Sequence, residues 1–229
     1  MAILYIIGTP IGNLGDLSFR ALETLKNVSL VACEDTRRTL KLLSHFGISV
    51  KMLSLRAQNE QLDAEKVISA LKEGNDVAYV SDAGTPALSD PGTILVRKAV
   101  EAGFEAVPIP GPSAFASLVS VSGGLDKTVI FEGFLSPKSG RRRKRLRELL
   151  DTGAGFVLYE SPFRLLKLLE DLADLESERY VCVGKEMTKI HEEYLRGTAG
   201  KIHLTFLEKS AKNGIRGEFS VYVSGRNGN

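Results

Sequence analysis

Cysteine and histidine are scarce in this chain, with two of the first and three of the second among 229 residues. Cys33 and Cys182 each sit in a short apolar run, Leu30 to Cys33 and Tyr180 to Val183, so they are expected to be buried, reduced thiols of a cytoplasmic protein. His45, His191 and His203 are scattered without ligand spacing, so no metal site is expected. Long hydrophobic runs are also missing. The first apolar run, "AILYII", has six residues and no cationic lead, and predicts a strand rather than a leader peptide or a membrane span. Two common phosphate-holding fingerprints are absent, since no G-x-G-x-x-G follows the first strand and no G-x-x-x-x-G-K-[ST] occurs. Ser113 lacks a G-x-S-x-G elbow, which removes the main support for Ser-His-Asp hydrolysis.

What is present is an ordinary globular composition, 43% hydrophobic and 25% charged, with a net charge of only +2. The charge is unevenly spread. Lys138, Arg141, Arg142, Arg143, Lys144, Arg145 and Arg147 place seven cations within ten residues, and the remaining 23 basic residues face 28 acidic ones. Like charges at Arg141/Arg145 and Arg143/Arg147 are four apart on a predicted helix and repel, which a polyanion relieves. Leu146, Leu149 and Leu150 give that helix an apolar face. The segment has no aromatics, so phosphate contact without base readout is expected of it.

Along the first half, short apolar runs alternate with helical stretches. Ser18 is placed to cap a helix with Phe19, Leu22 and Leu25 on its apolar stripe; Leu40, Leu43 and Phe46 form the stripe of the next, which Gly47 ends. The alternation predicts a parallel sheet covered on both faces. Near residues 123–140 the pattern changes, which predicts an N-terminal domain over 1–125 and a C-terminal mixed α/β domain over 126–229. The tail "SGRNGN" is expected to fray.

In an open parallel sheet ligands bind beyond the carboxyl ends of the strands. Three such ends carry unusual loops: "GTPIGN" (8–13), "SDAGTPALSDPG" (81–92) and "PGPSA" (110–114). The second contains Asp82 and Asp90 beside its glycines. Carboxylates repel phosphate, so the guest is expected to offer hydroxyls, an ammonium or another positive centre.

The strings "GTPIGNLGDLSFRALETL", "ACEDTR", "SDAGTPALSDPG", "PIPGPSA", "EGFL", "YESPFRL" and "EMTKIHEE" run in order from residue 8 to about 193. Together they resemble the ribosomal small-subunit RNA methyltransferase I family, within the tetrapyrrole methylase superfamily. That resemblance implies two α/β domains with the cofactor in a cleft between them, a homodimer, and methylation of a cytidine ribose 2′-oxygen in the decoding region of small-subunit ribosomal RNA. Its implied cofactor is S-adenosylmethionine, and its partner is that RNA or the 30S subunit. One departure stands out: where the family pattern leads one to expect "HEHNE", this chain has "RAQNE", Arg56 to Glu60, so Asn59 and Glu60 remain while both histidines are gone.

S-adenosylmethionine fits the loop chemistry, having a sulfonium, an ammonium, a carboxylate and ribose hydroxyls but no phosphate. Asp82 and Asp90 can accept from hydroxyl or ammonium, Ser113 and loop N–H groups can serve the carboxylate, Gly84 permits close approach and Leu88 can pack on apolar parts. The resemblance adds Pro10, Ser89, Ala114 and Glu160 to the cofactor contacts and Arg37 to the RNA contacts. A ribose hydroxyl is a weak acid that benefits from a proton acceptor, for which Glu34, Asp35, Glu60, Lys185 and Glu186 are candidates. Other readings are a superfamily methyltransferase acting on a small molecule or a protein, and a non-catalytic RNA-binding assembly protein.

Overall fold

The computed structural model describes residues 2–225 and divides the chain into two compact units, Met1–Ser113 and Ala114–Asn229. The first holds five strands, β1 (Ile3–Ile7), β2 (Leu30–Cys33), β3 (Lys51–Ser54), β4 (Val77–Val80) and β5 (Glu105–Ile109), in the order β3-β2-β4-β1-β5 with every pair parallel. Successive residues of a strand point to opposite faces. Leu30, Ala32, Val77 and Tyr79 accordingly enter one core, and Val31, Cys33, Ala78 and Val80 the other. Helices α3 (Glu60–Lys72) and α4 (Thr93–Glu101) seal the first face; α1 (Phe19–Asn27) and α2 (Thr36–His45) seal the second.

The predicted stripes of α1 and α2 are corrected in part. Ser18 does cap α1, accepting from the Ala21 N–H at 3.1 Å, but Phe19 and Leu40 face solvent; Ala21, Leu25, Thr39 and Leu43 are the buried positions.

The second unit opens with α5 (Ala114–Ser122), followed by strands β6 (Val129–Phe134), β7 (Gly155–Glu160), β8 (Tyr180–Lys185), β9 (Glu193–Thr198) and β10 (Phe219–Val223), ordered β6-β7-β10-β8-β9. Only β6 and β7 pair in parallel, so the sheet is mixed. Helices α6 (Ser139–Asp151), α7 (Leu165–Glu176) and α8 (Ala199–Asn213) cover one face through Leu146, Leu149, Leu150, Leu168, Leu172 and Phe206. The units part twelve residues before the division read from sequence because α5 is fastened to the second sheet. The Tyr180 hydroxyl donates to the Ser122 carbonyl at 2.7 Å, Arg196 donates to the Val121 carbonyl at 2.7 Å, and Leu118 is wholly buried.

Both cysteines are free and buried. Ser224 and Gly225 are not frayed: their N–H groups donate to the Tyr180 carbonyl and to Asp126, each at 3.0 Å, while residues 226–229 of the tail lie outside the described residues. Among the described residues no helix is long and apolar enough to cross a membrane.

Candidate active site

The three loops flagged in the sequence meet at the carboxyl ends of β1, β4 and β5. Thr9 and Gly84 exchange backbone hydrogen bonds at 2.9 and 3.0 Å, joining the β1 loop to the β4 loop, and the Thr85 hydroxyl donates to the Pro112 carbonyl at 3.3 Å. Gly8 and Gly111 are in backbone contact: a Cβ on Gly8 would lie 2.9 Å from the Gly111 Cα, and one on Gly111 2.5 Å from the Gly8 carbonyl oxygen. Only glycine fits at either place. The β4 loop is strained, with φ of 66° at Ala87, 67° at Ser89 and 81° at Gly84. Such angles cost non-glycine residues of order 1–3 kcal/mol each and persist where surrounding structure imposes them, commonly at ligand-binding loops.

A pocket of about 170 Å³ opens here, lined by Thr9, Pro10, Arg38, Lys41, Ser81 and Asp82 among others. It is smaller than pockets that enclose a drug-sized ligand, so it accommodates one end of such a molecule. Arg38 and Lys41 were missed by sequence reading, although their spacing of three on α2 puts them on one face. A larger cavity of about 420 Å³, around Glu176 to Tyr180 and Ser224, lies at the opposite end of the second sheet from the carboxyl end of β8.

The carboxylates divide into those already committed and those available. Asp82 accepts from the Asp35 N–H at 3.0 Å and lies 3.5 Å from the Arg38 guanidinium, so it lines the pocket while tying the β4 loop to the end of β2. Asp35 caps α2 by accepting from the Arg37 N–H at 2.9 Å and is gripped by the Arg37 guanidinium at 2.7 and 3.0 Å; those bonds hold its carboxyl well below the usual range, which makes it a poor proton acceptor. Glu60 is buried, and one of its oxygens accepts from the N–H groups of Gly92, Ile94 and Leu95 at 2.9, 3.0 and 3.3 Å. It therefore anchors the end of the β4 loop and the start of α4, a structural role that accounts for one of the two residues that remain in "RAQNE".

Glu34 and Asp90 differ from these. Burial, then Asp82 and Asp90, push the Glu34 carboxyl up, against the pull of Arg38; burial and Asp82 likewise raise Asp90 against a hydrogen bond from Ser81. Glu34 has no hydrogen bond or ion pair at its carboxylate among the described residues. The neighbouring Tyr79 hydroxyl is fully buried without a partner and its pKa is raised by burial first, then by Glu34, Glu60 and Asp90. A Cβ on Gly92 would meet the Tyr79 ring at 2.7 Å, so that glycine lets the loop close over the ring.

The candidates of the second unit are mostly occupied by structural bonds. Glu160 is buried, and one of its carboxylate oxygens accepts from the Ser161 N–H and the Arg164 guanidinium, both at 2.7 Å. Ala114 is the first residue of α5 and so belongs to the second unit, whereas Ser113 closes the first. Lys185 lies 3.7 Å from Glu193. Burial raises the Glu186 carboxyl, but hydrogen bonds from Lys189 at 2.9 Å and the Glu218 N–H at 2.8 Å outweigh it and leave the group below its usual range, a structural clasp and a poor base.

The basic run forms α6, yet not all of it faces solvent. Arg142 is buried and donates to Asp171 at 2.7 Å; it cannot reach a phosphate, because the helix turns it inward beside Leu146 and Leu149. Arg143 pairs with Asp171 and Asp174 at 2.7 and 2.9 Å, and Arg145 with Glu132 and Glu148 at 2.8 and 3.0 Å. Lys138, Arg141, Lys144 and Arg147 are exposed. Arg37 is exposed as well, its guanidinium held by Asp35.

A parallel sheet carrying glycine-bound loops at its carboxyl ends, followed by a mixed α/β unit, defines the class of the protein. Residues 3–203 match the Tetrapyrrole (Corrin/Porphyrin) Methylases, and the chain belongs to that family of methyltransferases. Its relatives include proteins named ribosomal RNA small subunit methyltransferase I from Borrelia garinii, 46% identical over 97% of this chain and 98% of the relative, and from Thermotoga maritima, 43% identical over 99% and 100%. A third, from Synechocystis, is 43% identical over 98% of this chain and 80% of the relative. The solved structure of a cobalamin biosynthetic enzyme, cobalt precorrin-4 methyltransferase, shares the fold with a TM-score of 0.71, covering 97% of this chain and 94% of that one at 17% identity.

Proposed function

We propose that this methyltransferase uses S-adenosylmethionine to methylate small-subunit ribosomal RNA, on a cytidine ribose 2′-oxygen in the decoding region. The observation that carries the reading is near-full-length identity of 43–46% to proteins named for that RNA. A small-molecule substrate would give no role to the exposed cations of α6.

The loop cluster of the first unit suits the proposed cofactor. Asp82 and Asp90 supply acceptors for hydroxyl or ammonium, Arg38 and Lys41 and the loop N–H groups supply donors for a carboxylate, and Pro10, Gly84, Leu88, Ser89 and Ser113 lie in the joined loops. When bound, S-adenosylmethionine supplies a methyl group on a positively charged sulfur. The protein's own task is to align the acceptor oxygen and keep water out, which can lower a barrier by several kcal/mol and up to ~7–11 in favourable cases. Glu34 is the group best suited to take or orient the hydroxyl proton, because its raised pKa brings its basicity closer to working pH and its carboxylate is uncommitted. Exposed Lys138, Arg141, Lys144 and Arg147 then take phosphates, while Arg142 holds α6 in place.

The test is methyl transfer to unmodified small-subunit RNA or 30S subunits, followed by digestion to nucleosides. Recovery of 2′-O-methylcytidine is expected. Base-methylated cytidine alone would overturn the ribose assignment, and no transfer to either substrate would overturn the reading as a whole.

A further inference from the structure

The second sheet carries a feature that methyl transfer leaves unused. Strand β10 is antiparallel to both β7 and β8, and β6 is parallel to β7, so β6, β7 and β8 run in one direction and end on the same side of the sheet. Each of these ends presents a large apolar side chain to solvent. Phe134 closes β6 at 58% exposure, Phe163 in the turn after β7 is 91% exposed, and Ile190 in the loop after β8 is 98% exposed.

Phe134 and Ile190 are held out by built structure. Phe134 packs edge-on against Tyr159 at 5.8 Å, Tyr159 against Phe131 at 5.1 Å, and Phe131 against Phe115 at 5.3 Å, a ladder of rings that fixes Phe134 while leaving one side free. The loop carrying Ile190 is strained, with φ of 48° at Glu186 and 66° at Thr188, and the Thr188 hydroxyl is buried without a partner. Lys189 clasps Glu186 and Glu218, both at 2.9 Å, and Glu192 accepts from the Thr188 N–H at 2.8 Å; the loop thus bears strain in a conformation that leaves Ile190 in water. Shortly after Phe134 come the cations Lys138 and Arg141, both exposed, at the start of α6.

Exposed aromatic faces beside unpaired cations are the elements of single-strand nucleic-acid binding: bases stack on the rings, and the backbone takes the charges. We infer that this end of the second unit holds unpaired bases of the substrate RNA, with Phe163 and Phe134 as stacking faces, Ile190 as apolar cover, and Lys138 and Arg141 on the adjoining phosphates. The inference rests on the reading that the substrate is RNA. Charge complementarity favours this occupant over a second copy of the chain, which would bring the same cations to the contact.

Stacking and ion pairing separate by their salt dependence, since only phosphate contacts release counterions. Phe163 is almost wholly exposed, so Phe163→Ala should leave the fold intact, and Phe163→Trp should keep the stacking face. Filter binding of a single-stranded small-subunit RNA fragment across a salt series should show about a tenfold loss for Phe163→Ala with the slope of log affinity against log salt unchanged. Phe163→Trp should restore wild-type affinity, and Lys138→Gln with Arg141→Gln should flatten the slope. Unchanged affinity in Phe163→Ala would overturn the inference while leaving the RNA reading intact. So would an equal loss of S-adenosylmethionine affinity by calorimetry, which would assign the face to the cofactor, or a change from dimer to monomer in sedimentation, which would assign it to a second copy. A wild-type chain that neither binds nor methylates RNA would overturn both.

Discussion

At the scale of single residues, the carboxylates near the loop cluster share a chemical type and differ in what their oxygens already do. Asp35 and Glu60 accept from helix N-termini, and Asp82 accepts from a backbone N–H beside Arg38, which leaves Glu34 as the carboxylate best suited to the proposed role of base. Glu34→Gln keeps the shape and removes the basicity; kcat should fall about 10²-fold or more, with S-adenosylmethionine affinity by calorimetry nearly unchanged. The sign of the pH effect comes from the raised pKa. The active carboxylate form is lost as pH falls through a value above the ordinary glutamate range, so the acidic limb of the wild-type kcat profile should lie high, and in Glu34→Gln that limb should vanish. A wild-type limb at ordinary glutamate values would remove Glu34 from the role. Glu60→Ala should instead cost about 1–2 kcal/mol of stability in thermal melts, because three N–H groups at the start of α4 lose their acceptor. None of these assignments was legible from the sequence, which places all the carboxylates at loop or helix starts and is silent on which bonds each one makes.

At the scale of elements, strands and helices with strong apolar patterns were legible, including the parallel character of the first sheet and the Leu146/Leu149/Leu150 face of α6. Strands β3 and β9 were not. Both are edge strands, and sequences such as "KMLS" and "EYLRGT" carry charge where central strands carry valine and alanine, as edges do to avoid unwanted pairing. The cations of α6 were legible as a run but not as two sets, because which arginines turn inward depends on Asp171 and Asp174, about 30 residues away on α7. The Arg142–Asp171 pair is buried on both sides, and removing one partner leaves the other charge without compensation. Asp171→Ala should therefore destabilise the protein by about 3–5 kcal/mol in denaturant unfolding, while the double variant Arg142→Met, Asp171→Leu should recover most of that loss. Equal destabilisation in the single and double variants would mean that the pair contributes shape rather than charge balance.

At the scale of the whole molecule, charge is divided between the two units. Residues 1–113 carry 11 basic and 13 acidic side chains, a balance of −2, and residues 114–229 carry 19 and 15, a balance of +4. The proposed cofactor is held mainly by short-range contacts in a small, partly closed pocket in the acidic unit, whereas the proposed substrate is a polyanion suited to the basic one. Salt should therefore separate the two binding events. If Lys138, Arg141, Lys144 and Arg147 are the phosphate contacts, four neutralised charges give a slope of about −3 to −4 in log affinity against log salt, so raising salt from 50 to 200 mM should weaken RNA binding roughly 50- to 150-fold. S-adenosylmethionine affinity over the same range should change by less than about twofold, because its contacts in the pocket are short and poorly screened. Replacing the four exposed cations by Gln should bring the RNA slope close to zero without altering cofactor affinity, while Arg143→Gln, whose charge is already paired with Asp171 and Asp174, should leave the slope nearly as it was. A slope that survives the quadruple replacement would move the phosphate contacts off α6 altogether, and a slope lost with Arg143 alone would mean that its ion pairs open when RNA binds.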